Sequence, residues 1–265
     1  MSSRAVHSLT VHLHCLICTA AVLAILSASA LPVRAERAYV AVAANFAEVL
    51  DALQPIFKSA TGHELVVTIG STGKLYAQIV NGAPFEVLLA ADQARPEKLI
   101  SEGHAVAGSR FTYALGQLVL WSPDPRRIAD DPAAALRAPD VSAIAIANPA
   151  LAPYGFAAKQ ALEKMGLWSE LSSKIAMGEN IGQTFSMVAS GNAQLGLVAK
   201  SYALSPRNSE RGSLWTVSTQ YYDPIRQDAV LLEKGSSNEA AKAFMGFLRK
   251  PETRALIEKF GYAVE

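Results

Sequence analysis

Apolar residues recur along the chain in two rhythms. Short runs rich in Val, Ile, Leu and Ala alternate with longer stretches in which apolar residues return every third or fourth position. The short runs predict strands at Tyr39–Ala43, Leu65–Ile69, Val87–Ala90, Leu118–Trp121, Ile144–Ala147, Leu195–Val198, Leu214–Val217 and Ala229–Leu232. The longer stretches predict helices at Phe46–Ala60, Leu75–Asn81, Pro96–Glu102, Gly155–Met165, Gln183–Ser190, Asn238–Arg249 and Glu252–Phe260. In the first of these, Phe46, Val49, Leu50, Leu53 and Phe57 share one face. Pro55 predicts a kink or an early end there, and Gly62 a C-terminal stop. Strands alternating with helices predict an α/β protein.

Turn-forming residues punctuate the chain at Ser122–Pro125, Ala129–Pro132 and Tyr221–Pro224. The reading that follows is two lobes joined by two hinge crossings. Residues 36–116 plus 226–265 form the first, with both chain ends, and residues 117–225 form the second. Lobes joined in this way close on a ligand by hinge bending.

The start of the chain reads differently. Arg4 precedes an apolar run from Leu13 to about Leu31 without an acidic residue, and Val33-Arg34-Ala35 supplies modest residues before Glu36. This is a secretory signal pattern over residues 1–35, with cleavage expected after Ala35 and a periplasmic location for the remainder. An uncleaved anchor is the alternative, weakened by Ser27, Ser29 and Pro32. Cleavage removes Cys15 and Cys18, so the exported chain has no disulfide, zinc-thiolate site or cysteine nucleophile.

Charge then narrows the function. The chain has 265 residues with Lys+Arg 24 and Asp+Glu 23, which gives no basic excess for a nucleic-acid partner. At 51% hydrophobic and 18% charged residues it is not a disordered chain. Catalytic signatures are missing: no HExxH, Gly-x-Ser-x-Gly, Walker or dinucleotide glycine motif occurs. His63 and His104 read as solvated turn residues, and Asp92 as a helix-entry cap or an interlobe contact. An enzyme would need Asp92, Asp223 or Asp228 paired in a cleft.

Four loops of small residues lead into helices: Ala43–Phe46, Gly70–Gly73, Ala152–Gly155 and Glu179–Gly182. The first turn of a helix leaves N–H groups without intrahelical acceptors and carries partial positive charge. Such loops bind anions without Lys or Arg. Asn45 and Thr72 add side-chain donors, and Gly70, Gly73, Gly155 and Gly182 allow close approach or positive φ. Taken singly, each loop is also an ordinary helix cap. A cage built from donors alone rejects protonated phosphate, whose O–H finds no acceptor. Glu179 is expected to point away from the anion.

Several of these stretches resemble a family. Val42–Phe46, Gly70–Gly73, Tyr76–Ile79, Asn81–Pro84, Ser109–Tyr113, Asn148-Pro149, Ala152–Gly155, Gly191–Gly196 and Asp223–Val230 are similar, in order and spacing, to the periplasmic molybdate-binding proteins of ABC importers. The resemblance implies a type II periplasmic binding protein fold and molybdate, usually with tungstate, as ligand. It implies no cofactor and no enzymatic activity, a membrane-embedded ABC permease as partner, and a monomer. It carries the ligand contacts onto Asn45 (backbone N–H and side chain), Thr72 (hydroxyl and backbone N–H), Tyr154 (at least its backbone N–H) and Ile181 (backbone N–H). These touch the oxyanion's oxygens and are not metal ligands. Where some relatives have a Tyr hydroxyl and a Thr, this chain has Ala199 and Ala44. Sulfate, thiosulfate or another small oxyanion remains the alternative ligand.

Overall fold

Among the described residues ten strands form two mixed sheets, and the chain passes between the sheets twice. The computed structural model describes residues 35–208 and 212–264; the predicted signal segment lies outside them up to Arg34. The first sheet holds β1 (Arg37–Ala43), β2 (Glu64–Gly70), β3 (Val87–Leu89), β4 (Phe111–Gly116) and β10 (Ile225–Leu231), in the order β2-β1-β3-β10-β4. The second holds β5 (Leu118–Ser122), β6 (Ile144–Ala147), β7 (Ile175–Gly178), β8 (Leu195–Ala199) and β9 (Ser213–Thr216), in the order β7-β6-β8-β5-β9. The chain leaves the first sheet at Gln117 and returns between Thr216 and Ile225.

Helices α1 (Ala47–Thr61), α2 (Thr72–Val80) and α3 (Ala94–Ser101) follow the first three strands. With the second sheet go α4 (Pro132–Arg137), α5 (Pro153–Lys164), α6 (Trp168–Leu171), α7 (Ile181–Ala189) and α8 (Lys200–Ala203). The chain ends with α9 (Glu239–Leu248) and α10 (Pro251–Lys259), which pack with α1 beside the first sheet. The α1 periodicity is realised as expected: Phe46, Val49, Leu50, Leu53 and Phe57 are fully buried. The Phe57 ring lies 5.4 Å from both Phe244 and Phe247 in edge-on contacts.

Three local expectations need correction. Helix α1 does not end at Pro55 but runs on to Thr61, where Gly62 closes it at φ 75°. The stretch from Ser122 to Pro132 is not a crossing between sheets. It is the loop before α4, where the Asp131 carboxylate accepts the N–H groups of Ala133 and Ala134 at 2.9 and 3.2 Å. His63 is not solvated: it is buried, its ring lies tilted 6.4 Å from that of Phe57, and its Nδ1 accepts the Glu36 N–H at 3.1 Å.

Two strands carry no clear sequence signal. Strand β4 runs almost directly into β5, with only Gln117 between, and β7 is four residues of partly exposed sheet edge. Strand β10 begins at Ile225 rather than Ala229, because Arg226, Gln227 and Asp228 belong to it.

Candidate functional site

Strands β1, β2, β6 and β7 each release the chain into a short loop and then a helical turn, and the four loops meet. A 3-10 turn, Ala44–Phe46, follows β1; α2, α5 and α7 follow the other three loops. Together they line one small cavity. Its wall takes Ala43–Asn45 from the first loop, Gly70–Thr72 from the second, Ala152–Tyr154 from the third and Asn180-Ile181 from the fourth, with Ala91 between. Asn45, Thr72, Tyr154 and Ile181 are therefore brought together, none more than 3% exposed.

Backbone position decides what these residues offer. Thr72 and Ile181 open their helices, Tyr154 is the second residue of its helix, and Asn45 is central in the 3-10 turn. An N–H in the first turn of a helix has no intrahelical acceptor, and the macrodipole makes the place attractive to an anion. The capping alternative holds for one loop only: Asn180 Oδ1 accepts the Gln183 N–H at 3.0 Å. Ala152 has no side chain to cap with, and Ser71 makes no capping bond.

Side chains refine the picture. The Thr72 hydroxyl accepts the Ala91 N–H, so its own proton is free to donate elsewhere. The hydroxyl of Ser71, a residue 3% exposed, has no partner at all. Sequence reasoning missed Ser71 because a serine before a helix looks like a cap. Asn45 is turned into the protein: Nδ2 donates to Gln227 Oε1 at 2.7 Å and to the Tyr262 hydroxyl at 3.0 Å. Its carbonyl accepts from Tyr262 at 2.6 Å and Ser201 at 3.2 Å, while Tyr202 donates to the Ala44 carbonyl at 2.7 Å. The backbone carbonyls of Ala44 and Asn45 are thus occupied by these hydroxyls.

Tyr154 reaches behind the cavity, where its hydroxyl accepts Gln227 Nε2 at 3.2 Å. Gly116, the last residue of β4, leaves space for it: a Cβ there would lie 2.2 Å from the Tyr154 hydroxyl. Burial raises Tyr154 and Tyr113 well above the usual phenol range and pushes Tyr262 up to about 12. The four loop glycines serve packing and not left-handed turns, since none of them has positive φ. Gly155 is the clearest case, because a Cβ there would lie 2.1 Å from the Ala147 carbonyl.

No charged side chain is in the wall; charges sit at the rim in pairs. Lys74, on α2, pairs with Glu179 of the fourth loop, so that carboxylate is engaged at the rim. Arg95 pairs with Asp92 and donates to the Ala150 carbonyl at 3.3 Å. Asp92 also accepts the Arg95 N–H at 3.0 Å, as a helix-entry residue does. The remaining carboxylates lie apart: Asp223 accepts from Gln160, and Asp228 from Arg110, Thr112 and Gln93. Among the described residues no cluster of three or more His, Cys, Asp or Glu is placed to hold a metal, and no helix is long and apolar enough to cross a membrane.

Comparison with known proteins bears on this arrangement. Residues 38–263 match the family described as bacterial extracellular solute-binding protein. The chain belongs to that family. Among its relatives, the molybdate-binding protein ModA of Rhodobacter capsulatus is 46% identical over 93% of this chain and 96% of its own. ModA of Azotobacter vinelandii is 47% identical over 88% of this chain and 92% of its own. The solved structure of the Azotobacter vinelandii periplasmic molybdate-binding protein superposes with a TM-score of 0.82 at 40% identity, covering 86% of this chain and 99% of that one. The resemblance read from the sequence motifs is borne out, and so is the periplasmic binding protein fold. A sulfate-binding protein from Mycobacterium tuberculosis shares that fold at a TM-score of 0.70, with 13% identity. The relatives at 46% and 47% identity both carry the molybdate-binding name.

Proposed function

We propose that the protein is a periplasmic receptor that captures molybdate between two lobes and delivers it to a membrane-embedded ABC permease. The lobes are residues 36–116 plus 226–265 and residues 117–225. The observation that carries the proposal is the convergence of four residues at helix starts, Asn45, Thr72, Tyr154 and Ile181, on one cavity whose wall has no charged side chain. A tetrahedral dianion has oxygens on every side and nothing to donate, so a wall of neutral donors is its complement. Desolvating the dianion is costly, and several charge-assisted hydrogen bonds offset that cost. The hydroxyls of Thr72 and Ser71 complete the donor set.

Tungstate, of the same charge and shape, fits the same cage. Sulfate has shorter bonds, and donors fixed on helices do not contract to follow it. Protonated phosphate brings a hydrogen with no acceptor to meet it. The relatives' molybdate-binding names support this choice of ligand over sulfate. Binding and release are the whole activity: the protein acts as a monomer, without a cofactor, and not as an enzyme.

Thermal unfolding of the purified protein with each oxyanion tests the proposal. A ligand at a thousand times its Kd adds about 4 kcal/mol, which for a chain of this size is about 8–16 °C. Molybdate and tungstate are expected to give that shift, and sulfate and phosphate little. An equal shift with sulfate would sink the ligand assignment, and no shift with any oxyanion would reduce the four loops to helix caps.

A further inference from the structure

Three consecutive polar residues, Arg226-Gln227-Asp228, interrupt β10, a strand flanked by β3 and β4 inside the first sheet. Successive strand residues ordinarily face opposite sides. Here the pairing with β4 shifts between Gln227, opposite Ala114, and Asp228, opposite Thr112. This irregularity re-aims side chains, and both residues end fully or almost fully buried, at 0% and 1% exposure. Asp228 is satisfied locally by Arg110 and Thr112, at 2.8 and 2.7 Å.

Gln227 is connected differently. Its Oε1 accepts Asn45 Nδ2 at 2.7 Å and the Tyr113 hydroxyl at 3.1 Å, and its Nε2 donates to the Tyr154 hydroxyl at 3.2 Å. Asn45 is in the first loop and Tyr154 in the third, so one amide joins two cavity-wall residues that come from the two sheets. Gly116, at the end of β4, keeps the link open, since a Cβ there would lie 2.7 Å from Gln227 Nε2. An apolar side chain would fill a buried site at no desolvation cost, whereas a buried amide is stable only when its partners are in place. Such a group specifies geometry more than it adds stability.

We infer that Gln227 is a positioning residue for oxyanion binding, which through Asn45 and Tyr154 registers the first loop against the third when the two halves meet. The inference rests on the proposed function. Gln227 does not line the cavity, so it acts on the ligand only through the residues it holds. Because the Tyr154 link joins the halves, its loss acts on release: an unlatched receptor admits the anion as fast but lets it go sooner.

The test is stopped-flow fluorescence of molybdate binding and release by the full protein, for the wild type, Gln227→Ala, Tyr154→Phe and the double variant. Tyr154→Phe keeps the backbone N–H at the cavity and removes only the hydroxyl; it also serves if Gln227→Ala folds poorly. Release is expected to speed at least tenfold in each single variant, with association within about twofold of wild type. The double variant should release no faster than the worse single one, since both cut the same link. A residue that merely supports folding would lower the fraction of active protein and leave the release rate of the rest unchanged. Wild-type release rates in either single variant, or a double variant whose effect is the product of the two, would overturn the inference. A wild type that binds no oxyanion would overturn the proposed function and this inference with it. A wild type that binds molybdate beside variants of unchanged release overturns the inference alone.

Discussion

The Thr72 hydroxyl accepts the backbone N–H of Ala91 at 3.0 Å, inside the first half of the molecule. A hydroxyl that is already accepting has its one proton to give, and the cavity is beside it. Thr72→Val keeps the shape and removes both roles. Molybdate affinity should fall about 10- to 100-fold, the worth of a hydrogen bond to a charged group. Unliganded stability should fall by about 1–3 kcal/mol as well, because the buried Ala91 N–H loses its partner. Thr72→Ser should restore both. Calorimetry beside thermal unfolding checks this, and a Val variant of wild-type affinity would remove Thr72 from the contact set.

Ser71 should behave oppositely on stability. Its hydroxyl is buried without a protein partner, so the unliganded protein gains nothing from it. Ser71→Ala is expected to weaken molybdate binding about tenfold while leaving the unliganded unfolding temperature unchanged or raised, since an unsatisfied hydroxyl is removed. Affinity within twofold of wild type would show that the hydroxyl gives nothing to the anion.

The Lys74–Glu179 pair at the rim is half exposed, with side chains 52% and 44% accessible, so as a latch it is worth about 0.2–1 kcal/mol. Its charge matters more. Lys74→Ala leaves a bare carboxylate near the dianion, and Glu179→Gln leaves a bare ammonium. The first should weaken molybdate binding about fivefold, and the second should leave it unchanged or tighter. The gap between them should narrow as salt rises. Equal weakening by both variants would mean that the pair acts as a clasp and not through its field.

Alkali should find the tyrosines. Tyr113, Tyr154 and Tyr202 are raised by burial, and Tyr262 is pushed up to about 12 from an ordinary 10. A phenol whose folded pKa lies above its unfolded one contributes stability that is intact below pH 10 and lost as pH rises through the folded value. Unfolding temperature should therefore be insensitive to these groups up to about pH 10 and fall steeply beyond it. Tyr262→Phe should flatten part of that fall. A variant that tracks the wild type through pH 12 would show that Tyr262 is not among the groups responsible.

Much of this site could be read from residue order. Loops that end strands and open helices show themselves through small residues before a helical period, and the spacing of Ala43–Phe46, Gly70–Gly73, Ala152–Gly155 and Glu179–Gly182 carried enough signal to identify all four. The back of the site was not readable. Gln227 and Tyr262 are 182 and 217 residues from Asn45 in sequence, and no periodicity reports such a contact. Polar residues inside β10 disguised the strand, because an irregularity that buries two neighbours in succession breaks the alternation by which strands are recognised. His63 misled for a simpler reason: its place in a turn suggested water, while the Glu36 backbone and the Phe57 ring lie against it.

Gly116 stands where the chain leaves the first sheet, opposite Ile225, and nothing larger than hydrogen fits against the Tyr154 hydroxyl. Hinge and clamp are therefore separated by the width of one methyl group. Gly116→Ala would act as a doorstop, holding the receptor ajar with every anion contact of each half chemically intact. Capture by one half and enclosure by both, which a wild-type titration would record as a single event, would then become two quantities that can be weighed apart.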